Sequence, residues 1–171
     1  MELLIPGLIL VALMVYASTK IKKTAAAAFE PETIETDEFV VEKPEGFLNV
    51  LNHDPALDLD MYSRDFGVEN TANIKQARVE MRHYRVCTMN EAIKMIKENA
   101  TIKSDIAEII NERKYRLVEA ERIEKGIGYR EIYKLTESGP DVFELKAIVL
   151  EDASDEISQK ADGIVLSFIV K

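Results

Sequence analysis

Hydrophobic and polar positions divide this chain of 171 residues into three parts. Residues 3–19 form an apolar run without a charged residue, and three lysines follow it closely. Residues 24–38 mix alanines with acids and a proline, and offer little that can be buried. The rest of the chain places apolar residues at the spacings of strands and helices. We therefore predict a transmembrane anchor over residues 1–23, an acidic linker over 24–38 and a globular domain over 39–171.

The apolar run is long enough to cross a bilayer. Its 17 residues extend about 25 Å as a helix, against a hydrocarbon core of about 30 Å. A cleaved signal peptide carries basic residues before its apolar run and a small-residue cut site after it. Here Glu2 precedes the run, and Lys20, Lys22 and Lys23 follow it. The pattern favours a retained anchor over a cleaved signal, and a run that is apolar on all sides disfavours a buried core helix.

The lysines also predict the side of the membrane on which the domain lies. Lysine and arginine are in excess on cytoplasmic flanks. We therefore expect a single-pass protein of the cell membrane, contacting the bilayer through residues 3–19, with the N-terminus outside and the domain cytoplasmic. An extracytoplasmic domain is the alternative. We expect the linker to be a solvated spacer, with a partner-binding acidic segment as its alternative.

The domain opens with a predicted strand, turn and helix. Residues 39–41 are strand formers, and Pro44 and Gly46 then favour a turn. Asp54 suits a helix N-cap and Gly67 a helix end. Apolar residues between them recur every three or four positions, namely Ala56, Leu59, Tyr62 and Phe66. This spacing predicts a short helix over 54–67.

A second strand and a helical pair follow. Residues 77–83 alternate between apolar and charged side chains, which indicates a half-buried strand. Thr88 and Glu91 have the spacing of a capping box, which predicts a helix as far as Ala100. Further isoleucines predict a second helical stretch that ends near Arg113.

The last third of the chain has mainly the period of a strand. Segments 115–123 and 128–136 flank a glycine-containing turn, which predicts a hairpin. Residues 142–150 predict another strand, residues 151–163 a polar connection with room for a helical turn, and residues 163–170 a closing strand. The predicted fold class is α+β: a transmembrane helix, then an antiparallel sheet with helices packed on it.

Composition and charge exclude some functions. The net charge of −9 and the absence of a basic stripe argue against nucleic acid as a partner. Basic residues such as Arg78 and Arg82 alternate with acids, so they predict a solvated mixed face. The single cysteine, Cys87, cannot form an internal disulfide.

Three stretches resemble the PsbP-like and DcrB-like proteins, a group of α/β/α sandwiches. They are "FVVEKPEGF" at 39–47, the strand that leads into a capped helical pair and a hairpin, and the ending "KAIVLEDASDEISQKADGIVLSFIV" with Ser167 and Phe168. The helix predicted for 54–67 departs from this group, which has strands there. Members share a fold and mostly act by binding other proteins. The resemblance implies no catalytic residue.

Several residues carry groups that could bind a metal or react. His53, Asp54, Asp58 and Asp60 are the nearest approach to a metal site, but Asp54 is better explained as a helix cap. His83 lies on a strand between Arg82 and Tyr84, where a surface or half-buried histidine is expected. We expect no metal and no cofactor.

No catalytic group stands out either. Cys87 has no base beside it in sequence, so it would need a distant histidine to act as a nucleophile. The "GIG" at 126–128 fits a hairpin turn better than a phosphate loop. The acids of the hairpin are expected on its solvated face, namely Glu119, Glu121, Glu124 and Glu131.

We therefore expect a non-catalytic protein that binds or scaffolds a partner protein at the membrane. A small-molecule-binding or sensory domain is the alternative. An enzyme that uses Cys87 or His53 is the third possibility.

Overall fold

The computed structural model describes residues 4–171; in the first helix, the side chains of residues 4–10, 12 and 22–25 are outside the described set. The helices are α1 (Leu4–Ala27), α2 (Met89–Asn99) and α3 (Asp155–Ser167). The strands are β1 (Glu32–Glu35), β2 (Phe39–Lys43), β3 (Phe47–Asn49), β4 (Leu59–Ser63), β5 (Ala77–Tyr84), β6 (Thr101–Ile110), β7 (Arg113–Glu124), β8 (Ile127–Ser138), β9 (Asp141–Leu150) and β10 (Ile169–Val170). A short 3-10 helix, Glu69–Thr71, lies between β4 and β5.

Seven strands form one antiparallel sheet in the order β3-β4-β5-β9-β8-β7-β6. Val79 on β5 lies opposite Ala147 on β9, and Tyr133 on β8 lies opposite Lys146 on β9. Strands β1, β2 and β10 form a smaller antiparallel sheet. Because side chains of paired residues point to the same face, the register fixes which residues share each side of the large sheet.

Helix α3 and the smaller sheet cover one face of the large sheet. The helix buries residues spaced by three and four, Ile157, Ala161 and Ile164. They pack in one core cluster with Phe168, which follows α3, and with sheet residues that include Phe39, Val41, Met61, Val79, Met81, Leu145 and Ala147. Burial of each large apolar side chain contributes about 1.5–3 kcal/mol, so this cluster is the main stabilising layer.

Helix α2 covers part of the opposite face. Ala92 and Ile96 of α2 pack with Val118, Leu135 and Val142 from β7, β8 and β9. The predicted capping box is confirmed: the Thr88 side chain accepts from the Glu91 backbone N–H, and Glu91 accepts from the N–H of Thr88. Asp60 on β4 and Glu80 on β5 lie on the same face, outside this cluster.

Several predicted elements are confirmed. The strand at 39–41 is β2, and a turn follows at Pro44 and Gly46. The alternating segment 77–83 is β5. The predicted hairpin is β7–β8, and the strand predicted for 142–150 is β9.

The helix predicted for 54–67 is wrong, because this segment contains β4. Asp54 accepts from the backbone N–H of Ala56 at 2.9 Å and so closes a turn rather than capping a helix. Leu59, Met61 and Ser63 are buried on the core side of β4, which pairs with β5. Leu59 fits both periods, and pairing with β5 selected the strand.

The second helical stretch predicted to end near Arg113 is also wrong. Ala100 has an extended backbone, which ends α2, and Thr101–Ile110 is strand β6. Ile106 lies opposite Leu117 on β7. Isoleucine suits a strand because its branched Cβ is restricted in a helix, and the neighbouring strand provides the pairing.

The closing strand predicted for 163–170 is mostly helix. Helix α3 extends through Ser167, and a short strand remains at Ile169–Val170. Ile164 and Val165 continue the apolar stripe that begins at Ile157. Their burial against the large sheet outweighs the strand preference of a β-branched run.

Part of the predicted linker over 24–38 is folded. Helix α1 continues to Ala27, and Glu32–Glu35 pair with β2 as strand β1. The buried ammonium of Lys43 donates to the carbonyls of Ala28 and Phe47, at 3.3 and 3.2 Å. The segment is therefore attached to the domain, which limits its length as a spacer.

The predicted anchor lies on α1 and on residues 1–3, which are outside the described residues. Within the described part of the chain, no helix is both long enough and apolar enough to cross a membrane.

Candidate functional site

The histidine and aspartates considered for a metal site do not form one. His53 Nδ1 lies 3.0 Å from the backbone oxygen of Asp54. Asp60 faces Arg78, with Oδ1 2.9 Å from Nε, so an ion pair accounts for this carboxylate. No three histidine, cysteine or acidic side chains come together as a metal site among residues 4–171 with described side chains. Since the predicted helix is absent, Asp54 and Asp58 are not one helical turn apart.

The contacts of Cys87 and His83 are those of residues with a structural role. The thiol of Cys87 lies 3.5 Å from the backbone oxygen of Thr88, and partial burial raises the pKa of this thiol. A raised pKa lowers the thiolate fraction that a nucleophile needs. The ring of His83 stacks on Phe143 at a centroid distance of 4.1 Å, and its Nε2 lies 2.9 Å from Asp141 Oδ2.

A charged network lies on the face of the large sheet that α2 partly covers. Its members come from five adjacent strands and point to the same side, as the register requires. We call it the ionic face, and it consists of Asp60, Arg78, Glu80, Arg82, Tyr84, Arg122, Tyr129, Glu131, Tyr133, Glu144 and Lys146.

The β4–β5 half of the ionic face is a row of alternating charges. Arg78 donates to Asp60 through two nitrogens, at 2.9 and 3.0 Å. A third nitrogen of Arg78 lies 3.0 Å from Glu80, whose other oxygen lies 3.1 Å from Arg82. The acid side chains are only 10% and 8% exposed, whereas those of Arg78 and Arg82 are 46% and 44% exposed. The carboxylates therefore form a lower layer and the guanidinium groups face the solvent.

Glu131 is the centre of the other half. Its side chain is fully buried, and it accepts from Arg122 Nε at 2.8 Å, from Lys146 Nζ at 3.0 Å and from the Tyr133 hydroxyl. Burial by itself raises the pKa of this carboxyl, but these three donors outweigh burial and hold the pKa below its usual value. Arg122 lies 4.8 Å above the ring of Tyr129. Glu131 is thus held ionised by its cationic neighbours.

The pKa of Glu144, on the neighbouring strand β9, is shifted in the opposite direction. Its carboxyl is buried and accepts from the Tyr84 hydroxyl at 3.3 Å. Burial raises the pKa of Glu144, and the positive charge of Lys146 opposes this only in part. Burial and the adjacent carboxyl together raise the pKa of Tyr84 to about 12. The Glu144 carboxyl and the Tyr84 hydroxyl therefore both keep their protons to a higher pH than usual.

The ionic face therefore offers donors rather than a reactive group. Its acids are buried under the bases that they pair with, and the arginines and lysine cover them. A surface of guanidinium groups and tyrosine rings is suited to binding carboxylates and apolar side chains of another protein. The sequence indicated the alternation of Arg78, Glu80 and Arg82, but not that the acids are buried.

The hairpin acids are divided between the two faces. Glu119 and Glu121 lie on the α3 side, where Glu119 pairs with Arg130 and Glu121 with Lys103. The predicted solvated position of Glu131 is wrong, since this carboxyl has no exposed surface. The turn at 126–128 closes the β7–β8 hairpin, as predicted.

A cleft of about 550 Å³ lies beside these pairs, between the ends of β6–β8 and α3. Arg130 there also pairs with Asp162 of α3 at 3.0 Å. The charged groups of this cleft are thus engaged with one another, which makes it a weaker candidate than the ionic face.

Comparisons of the sequence with protein-family models and with curated proteins give no match. The structure is nevertheless similar to solved structures. One is cyanobacterial PsbP (CyanoP) from Synechocystis sp. PCC 6803, with a TM-score of 0.57, 12% identity and coverage of 83% of this chain and 92% of that chain.

Two further structures show the same similarity. LpqN of Mycobacterium tuberculosis, which is involved in cell envelope biogenesis, gives a TM-score of 0.60 at 10% identity and covers 83% of this chain and 91% of its own. The Ran-binding protein Mog1p of Saccharomyces cerevisiae gives 0.51 at 10% identity, with 83% and 96% covered. The helix predicted for 54–67 would have differed from the PsbP-like proteins, which have strands there. The structure has strand β4 in this segment, so the difference is absent. The chain therefore has the PsbP-like α/β fold.

Proposed function

We propose that this chain is a membrane-anchored, non-catalytic protein whose domain binds an acidic segment of a partner protein through the ionic face. The observation that carries this proposal is the order of charges at that face. Asp60, Glu80 and Glu131 are buried, while Arg78 and Arg82 reach the solvent. In a chain with a net charge of −9, the outermost charged groups at this surface are thus guanidinium donors.

Physical reasons favour a protein over a small molecule at this surface. In the β4–β5 half of the ionic face the arginines project into the solvent, whereas small-molecule sites are concave and mostly apolar. Arginine and tyrosine are enriched among residues that contribute most to protein–protein binding. Mog1p, a protein of the same fold, is a Ran-binding protein, which supports binding as a use of this fold.

The anchor is supported by the apolar side chains of α1. Those that the structure describes are between 59% and 69% exposed, namely Val11, Leu13, Met14, Val15, Tyr16 and Ile21. Exposed apolar surface of this kind is unfavourable in water and favourable in a bilayer. With the lysines that follow the run, the proposal places the domain on the cytoplasmic side of the cell membrane.

Substitution of Arg82 tests the binding surface. Glu80 keeps Arg78 as a partner when Arg82 is replaced, so the fold is expected to tolerate the change. Full-length protein is purified in mild detergent, and the proteins that co-purify are compared between wild type, Arg82→Glu and Arg82→Lys. Lys94→Glu is the control, because Lys94 lies on the exposed side of α2 with its side chain 77% exposed.

We expect Arg82→Glu to lose a partner that wild type, Arg82→Lys and Lys94→Glu retain. Thermal unfolding of each variant checks that the fold is intact. Recovery of the same proteins with folded Arg82→Glu, or recovery of the wild type alone, contradicts the proposal. The side of the membrane is tested by a reporter fused after Lys171 that is active only outside the cytoplasm, and activity there overturns the cytoplasmic placement.

A further inference from the structure

Exposed apolar side chains lie at the end of the large sheet at which α1 joins the domain. Phe66 and Val68, in the segment between β4 and β5, are 48% and 58% exposed, and Ile123, near the end of β7, is 80% exposed. We call these three residues the apolar rim. Val68 and the β7–β8 turn line the same cleft of about 290 Å³, together with Gly126 and Ile127. The two segments therefore face each other across this cleft, which Glu69, Glu151 and Asp152 also line.

Direct contacts connect the end of α1 to this rim. The backbone N–H of Gly46 donates to the oxygen of Phe29 at 2.9 Å, and the N–H of Arg64 donates to the oxygen of Gly46 at 2.7 Å. The Arg64 guanidinium also lies 5.9 Å from the centre of the Phe29 ring. Phe29 follows α1 by two residues, and Arg64 precedes Phe66 by two. Phe66, the rim residue nearest to these contacts, thus lies close to the exit of α1.

The surroundings of the rim have the composition of a membrane interface. Lys75 places Nζ 3.6 Å from the centre of the Phe66 ring and 5.1 Å from that of Tyr62, and it donates to the oxygen of Arg64 at 2.8 Å. Aromatic rings and basic side chains with apolar stems are favoured in the headgroup layer, where one part is apolar and the other hydrated.

The length of α1 sets the distance between the rim and the bilayer. If residues 3–19 span the hydrocarbon core, residues 20–27 remain as the part of α1 that leads to the domain. Eight helical residues extend about 12 Å, and the headgroup layer of one leaflet is about 5–7 Å thick. The first residues of the domain are therefore within one or two helical turns of the headgroups.

We infer that the apolar rim inserts into the headgroup layer of the bilayer that α1 enters and holds the domain against the membrane surface. This inference rests on the anchor of the proposed function. Asp65, Glu69 and Glu124 lie beside the rim, and their charges are unfavourable next to anionic lipids. The contact is consequently apolar, and a zwitterionic phosphatidylcholine surface is sufficient for it.

Fluorescence quenching by lipids tests this contact. The full chain with Cys87→Ser carries a single new cysteine, either Val68→Cys at the rim or Val86→Cys as the control. Val86 is 84% exposed, and it follows β5, whose other end is next to the rim. The eight residues of β5 separate the two sites by about 26 Å. Each protein is labelled with an environment-sensitive fluorophore and reconstituted into phosphatidylcholine vesicles that contain nitroxide-labelled lipid.

We expect nitroxide lipid to quench the fluorophore at position 68 at least three times as strongly as the one at position 86. Equal weak quenching at both positions, in protein that floats with the vesicles and resists carbonate extraction, overturns the rim contact and leaves the anchor intact. A blue-shifted fluorophore at position 68 without lipid quenching indicates burial in another protein and also overturns it. Protein that fails to float overturns the anchor, and the rim contact with it.

Discussion

Lys146 on β9 lies beside Glu131 on β8, with Nζ 3.0 Å from Oε1, and the glutamate side chain of this pair has no exposed surface. Arg122 and Tyr133 contact the same carboxylate, so three donors surround one buried acid. A buried charge is unfavourable unless it is paired and hydrogen-bonded, and Glu131 has both. The network ties β7, β8 and β9 together under the surface proposed to bind a partner.

Replacement of this acid is expected to destabilise the domain. Glu131→Gln leaves Arg122 and Lys146 without their shared carboxylate, and we expect a loss of about 3 kcal/mol in the free energy of unfolding. Glu121→Gln is the control: its carboxylate pairs with Lys103 in solvent, and such pairs contribute about 0.5 kcal/mol. Urea unfolding of both variants in the same detergent measures the difference. Equal stabilities for the two variants contradict the role given to Glu131.

Glu144 is expected to have the opposite effect on stability. Its folded pKa is raised by burial, so its contribution is present below the unfolded pKa and is lost as the pH rises through the folded value. Because the carboxyl is ionised in the unfolded chain at neutral pH, burial of Glu144 lowers stability there, and Glu144→Gln should raise the melting temperature while keeping an acceptor for Tyr84. The gain should shrink as the pH falls towards 4.5, the ordinary pKa of the carboxyl. Melting curves between these pH values check it, and a lower melting temperature for Glu144→Gln at pH 7 refutes it.

Glu131 should make the stability of the domain sensitive to acid. Its folded pKa is lowered, so its stabilising contribution is present above the ordinary value of 4.5 and is lost as the pH falls through the folded value. Below pH 4.5 the wild type should therefore lose stability more steeply than Glu131→Gln. Urea midpoints measured at intervals from pH 6 to pH 3 compare the two slopes, and parallel slopes would exclude this assignment.

The capping box of α2 provides a local prediction. Thr88→Ala removes the side-chain acceptor of the Glu91 N–H, and loss of such a cap costs about 1 kcal/mol. Thr88→Ser retains the oxygen and should be within a few tenths of a kcal/mol of the wild type. Denaturant unfolding distinguishes them, and equal loss in both variants would assign the effect to the threonine methyl group.

Val86 is expected to be a site of backbone strain. This β-branched residue has φ of +53°, and it is 84% exposed, so its side chain contributes little packing. The left-handed conformation costs about 1–2 kcal/mol for such residues and little for glycine. Val86→Gly should consequently stabilise the domain by about 1 kcal/mol in thermal unfolding. Destabilisation would show that the valine side chain has contacts that outweigh its strain.

The sequence predicted elements where local pattern and final structure agree. The capping box at Thr88 and Glu91, the alternation in β5 and the glycine turn of the β7–β8 hairpin depend on near neighbours, so they were readable without the fold. The resemblance in β2 and in the C-terminal segment likewise indicated the PsbP-like fold, which the solved structures support.

The errors occurred where one pattern fits two structures. In β4, Leu59 and Tyr62 fit a helical stripe, yet the residues pair with β5. In β6 and at the end of α3, isoleucines and valines gave the wrong element, because long-range pairing and packing outweighed local preference.

The sequence by itself determined the charges of the ionic face and their alternation in β5. It also determined that the N-terminal run is apolar and that lysines follow it. Only the tertiary structure decided which charges are buried. Strand register places Glu131 between Arg122, Tyr133 and Lys146, and it leaves Glu144 with less compensation for its burial. Burial and pairing arise from residues distant in the chain, so their energies cannot be derived from neighbouring positions.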